Sequence, residues 1–168
     1  MTRARTLAVV MANPSIAKGC AVFSPCGRFR YRLERDLLNP DPDQSNDPTI
    51  TRVEGFARRD DFGKVIVGNL FALVSTDIKG LAKVEDPRGP ENNAHLLAMM
   101  DHADAVLFAW GPVAKVPRQW RNRWRTVAEY AEHLHVQPLC LGLAQDGHPR
   151  HPLMIRADQP MVPWMAPL

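Results

Sequence analysis

Residues 6–15 read TLAVVMANPS, an apolar run that stops abruptly at Asn13-Pro14-Ser15. Apolar side chains at successive positions, without alternation, predict a strand over 6–12 that is covered on both faces. Three later stretches repeat the pattern. KVIVGN ends at Asn69, with LFAL beyond it; DAVLFA is followed by Trp110-Gly111; VQPLCLGLA runs into DGHPRHPL, which carries His148 and His151. In an open α/β sheet, ligands bind in the crevice beyond the carboxyl ends of the strands. Four strands that each deliver polar groups or a tight turn to that edge therefore predict one site.

The segments between the strands complete the fold. Residues 22–33, VFSPCGRFRYRL, predict a hairpin with Pro25-Cys26-Gly27 at its turn. Period two puts Arg28, Arg30 and Arg32 on one face of its second arm, and Phe29, Tyr31 and Leu33 on the other. Residues 38–48 are proline-rich loop. Asp47 then predicts a helix N-cap, with Pro48 at the first helical position and Ile50, Val53, Phe56 and Ala57 on one face. Gly89-Pro90 opens a second helix through Met100. A third is expected from Pro117 to His133, with Trp120, Trp124 and Val127 on its apolar side. The tail MVPWMAPL is expected to pack loosely over the surface. Alternating strands and helices predict an α/β fold. Its form is a three-layer αβα arrangement with a central, mainly parallel four-stranded sheet plus an N-terminal arginine-rich hairpin, residues 1–168 making a single domain.

Composition sets the bounds. The chain has 168 residues, 45% hydrophobic and 23% charged, with a net charge of +3 and a pI near 9.0. That balance is compatible with a nucleic-acid partner without requiring one. No apolar run approaches the roughly 20 residues of a membrane span, and the N-terminal stretch is too short for a secretory core. Cys20, Cys26 and Cys140 are odd in number and lack metal-ligand spacing, which predicts reduced thiols, no metal and a cytoplasmic location.

The candidate site residues differ in what they offer. Asn13 is a poor proton acceptor but can place a nucleophilic water through its amide; the plainer alternative is a turn made by Asn-Pro-Ser. Asn69 interrupts an apolar stretch, and a buried amide needs partners. Its paired donor and acceptor suit a nucleobase edge, or equally a structural bond to a neighbouring loop. His148 and His151, restrained by two prolines, suit donation to charge developing on a leaving group, or an exposed loop without a role. The arginine hairpin and KVPRQWRNRWR (115–125) fit phosphate contact, against a plain solvated face with core tryptophans.

FSPCGRFRYRLERDL, NPS, DPTITR, FARR, VGNLFAL, DPRGPEN, AWG and DGHPRHPL together resemble the bacterial family catalogued as domain of unknown function 1643. The likeness covers nearly the whole chain, but supplies no reaction. It departs in order: here LAVVMANPS precedes the hairpin, which comes first in the family. A remoter resemblance is to the uracil-DNA glycosylase superfamily, carried by Met11-Ala12-Asn13-Pro14, Asn69, Trp110-Gly111 and His151-Pro152 in that order. The usual glycine of the first motif is replaced.

That second resemblance implies a monofunctional DNA glycosylase that flips a damaged or modified base out of DNA and hydrolyses its N-glycosidic bond without a cofactor. Asn13 would place the water and His151, or His148, would stabilise the departing base. Pro14, Ser15, Asn69, Phe71, Trp110 and Gly111 would hold the base. Arg28, Arg30, Arg32 and Arg150 would contact the backbone of duplex or single-stranded DNA, the protein acting as a monomer. Ile16, Ala17 and Lys18 stand where uracil enzymes carry an aromatic residue, which implies a pocket admitting a bulky modified pyrimidine such as those of phage DNA. The competing expectations are a non-catalytic nucleic-acid-binding module and a nucleoside or nucleotide hydrolase.

Overall fold

A computed structural model describes residues 2–15, 20–44 and 47–168; Ile16, Ala17 and Lys18 lie outside them. Strands β1 (Thr6–Met11), β4 (Lys64–Asn69), β5 (Ala105–Phe108) and β6 (Leu139–Cys140) run parallel. Strands β2 (Cys20–Phe23) and β3 (Arg30–Asp36) form the expected hairpin, and β7 (Val162–Pro163) lies at the far edge. The sheet order is β2-β3-β4-β1-β5-β6-β7. This corrects the four-stranded expectation. Leu33 to Asp36 pair antiparallel with Val67 to Lys64, so the hairpin is one edge of a seven-stranded sheet instead of an appendage.

β1 is buried along its whole length and its side chains divide between two cores. Leu7, Val9 and Met11 pack with Ile50, Val53, Phe56 and Ala57 of α1 (Pro48–Arg59). Ala8 and Val10 pack with Leu96, Met99 and Met100 of α2 (Asn92–His102) and Trp124 and Val127 of α3 (Arg123–His133). Gly68 sets the distance on the α2 side. A Cβ there would stand 2.6 Å from Met99 Sδ and 2.9 Å from a Leu96 methyl, so these side chains of α2 pack directly on the glycine.

Local chemistry explains α1. The Asp47 carboxylate accepts from the N–H groups of Thr49 (2.9 Å) and Ile50 (3.0 Å), Pro48 fills the first turn, and Arg58 and Arg59 sit in the last. The other two helices begin later than their prolines suggest. α2 starts at Asn92, two residues past Pro90. The segment after Pro117 is a 3-10 turn over Arg118–Trp120 before α3 starts at Arg123. Arg121 binds the carbonyls of Val116 and Ala114 across this break, both at 2.9 Å.

Two expectations about packing are corrected. Val22 pairs with Arg32 and Phe23 with Arg30, so Tyr31 is an extra residue on β3, a bulge. The bulge breaks the alternation: Arg30 is turned inward and is 2% exposed, while Arg32 is half-buried. The C-terminal tail is not loose either. Trp164 is 3% exposed, packs edge-on to Phe108, Trp110 and Trp124, and donates through Nε1 to the Gly147 carbonyl. No helix among the described residues is long and apolar enough to cross a membrane.

Candidate functional site

The carboxyl ends of β1 and β5, with residues 76–78 beyond β4, line a pocket of about 390 Å³. Asn13, Trp110, Gly111 and His151 all line it, together with Thr76, Asp77 and Lys115. Four residues from three separate motifs thus meet in one cavity.

Asn13 lies two residues past the end of β1. Its Nδ2 donates to the Ser75 carbonyl at 2.8 Å and to the Pro14 carbonyl at 3.5 Å. Two carbonyl acceptors fix which end of the amide is nitrogen, so Oδ1 is the atom through which Asn13 can accept from a water or ligand. Pro14 is buried, and its carbonyl also accepts from Ser75 N at 3.1 Å. Ser15 Oγ donates to Asp47 Oδ2 at 2.9 Å, and the Ser15 carbonyl accepts from Arg30 Nη1 at 3.3 Å. Burial holds the Arg30 guanidinium down at about 10, with Asp47 pulling the other way. Arg30 therefore ties the hairpin to the Asn13 loop from inside.

The histidine loop separates its two imidazoles. His148 is 4% exposed; its Nδ1 accepts from the Trp110 indole at 3.2 Å, and it packs edge-on to Trp124. It lies behind Trp110 and does not line the pocket. His151 does. Its Nδ1 accepts from Leu153 N at 3.2 Å, capping the short turn Pro152–Met154. A neutral imidazole with Nδ1 so engaged carries its proton on Nε2. Burial first, then Lys115, pushes His151 below the usual histidine value, while Asp47 opposes them. Gly111, at φ +79°, makes the tight turn after β5, and its N–H bonds the Pro149 carbonyl at 2.9 Å. Arg150 projects into solvent.

Two other expected site residues lie deeper. Phe71 is fully buried, edge-on to Trp120, and belongs to the α2/α3 core. Asn69 is 2% exposed and does not line the pocket, although it is the register partner of Met11, which does. Its Nδ2 has no hydrogen-bond partner among the described residues. Its carbonyl accepts from Asn92 Nδ2 at 2.9 Å, and the next carbonyl, Leu70, accepts from both Asn92 and Arg123. Arg123 is thus a buried structural group of the 115–125 stretch, its guanidinium held down at about 10 by burial. Arg28, Lys115, Arg118 and Arg125 remain exposed.

Sequence reading passed over Thr76, Asp77 and Lys115 as pocket residues. Asp77 did carry a signal: an acid opening a short turn, where it accepts from Lys79 N at 2.9 Å. Among the described residues, no group of three or more His, Cys, Asp or Glu is arranged to hold a metal ion.

No curated protein and no solved structure matches the chain. The sequence model of one family, described as protein of unknown function (DUF1643), matches residues 30–153. That span runs from Arg30 to the turn after His151 and leaves β1 and Asn13 outside it. It takes in well over half of the chain, which therefore belongs to the DUF1643 family.

Proposed function

We propose that this protein is a monofunctional DNA glycosylase, related to the uracil-DNA glycosylase superfamily, that hydrolyses the bond between deoxyribose and a damaged or modified base. The carrying observation is the state of His151. Its Nδ1 is occupied by Leu153 N–H, its pKa is lowered by burial and Lys115, and it shares a pocket with Asn13. A neutral Nε2–H donor suits the negative charge that gathers on a departing base. Asn13 Oδ1 suits a water held on the sugar side. The pocket volume is within the range of small-ligand sites, and Lys115, an exposed residue of its lining, offers a cation for the phosphates. A bulky modified pyrimidine remains our preferred base.

One observation favours a second reading, a nucleoside or nucleotide hydrolase. Arg30 and Arg123 are buried and Arg121 is engaged with carbonyls, which shortens the cationic track available to a polymer. The two readings part in a direct assay. Oligonucleotides carrying uracil, hypoxanthine, thymine mismatches, hydroxymethylcytosine or its glucosylated form are incubated with protein and then cleaved with alkali at abasic sites. Free nucleosides and nucleotides run in parallel. Strand cleavage supports the glycosylase; turnover of the monomers alone supports the second reading. Salt-sensitive DNA binding without any product would point to a binding module.

A further inference from the structure

Breaking an N-glycosidic bond makes two demands that an amide cannot meet. The attacking water must lose a proton, and the sugar, oxocarbenium-like in the transition state, gains from nearby negative charge. Asn13 supplies neither. Among the described residues lining its pocket, one carries a carboxylate: Asp77.

Asp77 is fastened to the Asn13 loop through Ser75. Asn13 Nδ2 donates to the Ser75 carbonyl at 2.8 Å, Ser75 N donates to the Pro14 carbonyl at 3.1 Å, and Ser75 Oγ donates to the Asp77 carbonyl at 2.7 Å. The carboxylate is fixed in turn by Lys79 N–H on Oδ1, at 2.9 Å. One oxygen is engaged, and a carboxylate keeps acceptor capacity on the other. The residue is also exposed and lines the pocket.

We propose that Asp77 is a catalytic residue of this pocket, the base for the attacking water and the counter-charge to the sugar; the inference rests on the N-glycosyl hydrolase reading. The water oxygen bonds to C1′ as the C1′–N bond breaks, its electron pair leaving with the base. The water proton passes to the Asp77 carboxylate, and the base anion takes a hydrogen bond from His151 Nε2–H. Asp77 then returns its proton to solvent, and the base collects one from solvent. Water and glycoside go in; an abasic sugar and a free base come out.

The test separates charge from structure. Asp77→Asn keeps an oxygen able to cap Lys79 N–H, since Asn caps as well as Asp, but removes the charge. Single-turnover base release is measured on whichever duplex of the panel the wild type cleaves. Affinity is measured for duplexes holding a cationic pyrrolidine abasic mimic or the neutral tetrahydrofuran mimic. Asp77→Asn is expected to slow release by about 100-fold, the usual worth of a positioned base. It should also erase a wild-type preference for the cationic mimic. Wild-type release that Asp77→Asn leaves within about threefold, less than any general base contributes, overturns this inference and leaves the glycosylase standing. No release and no charge preference in the wild type overturns both.

Discussion

The side-chain amide of Asn13 donates to the backbone carbonyl of Ser75 across 2.8 Å, which makes the nitrogen of that amide structural and its oxygen the acceptor end. An aspartate at 13 would set a carboxylate oxygen against two carbonyls. Asn13→Asp is therefore expected to destabilise the fold by about 1 kcal/mol, the low end for an unsatisfied or repelled group, since Asn13 is half-buried. It should lower base release despite offering a better proton acceptor. Urea unfolding and single-turnover release would check both; a faster enzyme with unchanged stability would contradict the geometry.

Burial lowers the pKa of His95, His148 and His151 below the ordinary 6.5. The unfolded chain therefore binds more protons than the folded one as pH falls through the histidine range. Stability rises with pH wherever that holds. The contribution is fully present above about 6.5, the unfolded value, and is lost progressively as pH falls toward the folded values. Unfolding midpoints at neutral and mildly acidic pH should show this slope. His148→Gln should flatten part of it while lowering stability by about 2–4 kcal/mol, through poorer packing against Trp124 and an unpaired Trp110 indole.

Asp47 caps α1, and α1 packs against the turn that follows His151. Its charge holds the His151 pKa up against burial and Lys115. Asp47→Asn keeps the cap and is expected to lower that pKa further with little change in stability. The His151 ring resonance, followed by NMR across pH, reads the shift. An unchanged titration would place Asp47 outside the site's electrostatics.

The arginines expected to meet phosphate divide by exposure. Arg28 and Arg150 face solvent, whereas Arg30 is 2% exposed. Arg28→Ala and Arg150→Ala should weaken DNA binding with the fold intact. Each removes one phosphate neutralisation and so reduces the salt slope by about 0.9. Arg30→Ala should instead destabilise the protein, since it unties the hairpin from Ser15. Salt-dependent binding and thermal melting of the three variants would separate the classes.

What the sequence revealed followed the reach of its signals. β1 and the Asp47-Pro48 helix start are legible because burial on both faces and N-capping act between near neighbours in the chain. The Tyr31 bulge is one extra residue in an otherwise regular alternation, and nothing local marks it. It decides that Arg30 turns inward. Trp164 is equally silent: its burial depends on Trp110 and Trp124, which only the folded sheet brings to it. His148 and His151 stand in the same proline-bracketed loop, and contacts distant in sequence distinguish them: Trp110 and Trp124 claim the first. Asp77 was hidden for the opposite reason. A lone acid opening a short turn is ordinary capping chemistry until Ser75 is seen to tie it to Asn13.

The pocket shared by Asn13 and His151 is proposed to release a base from DNA. The most direct test is to detect free base by mass spectrometry after incubating the duplex panel with wild type, Asn13→Ala and His151→Ala. Free base is expected from at least one modified duplex with the wild type, with a loss of about 100-fold or more in each variant. Wild-type protein that releases no base from any duplex, or variants as active as wild type, would contradict the proposal.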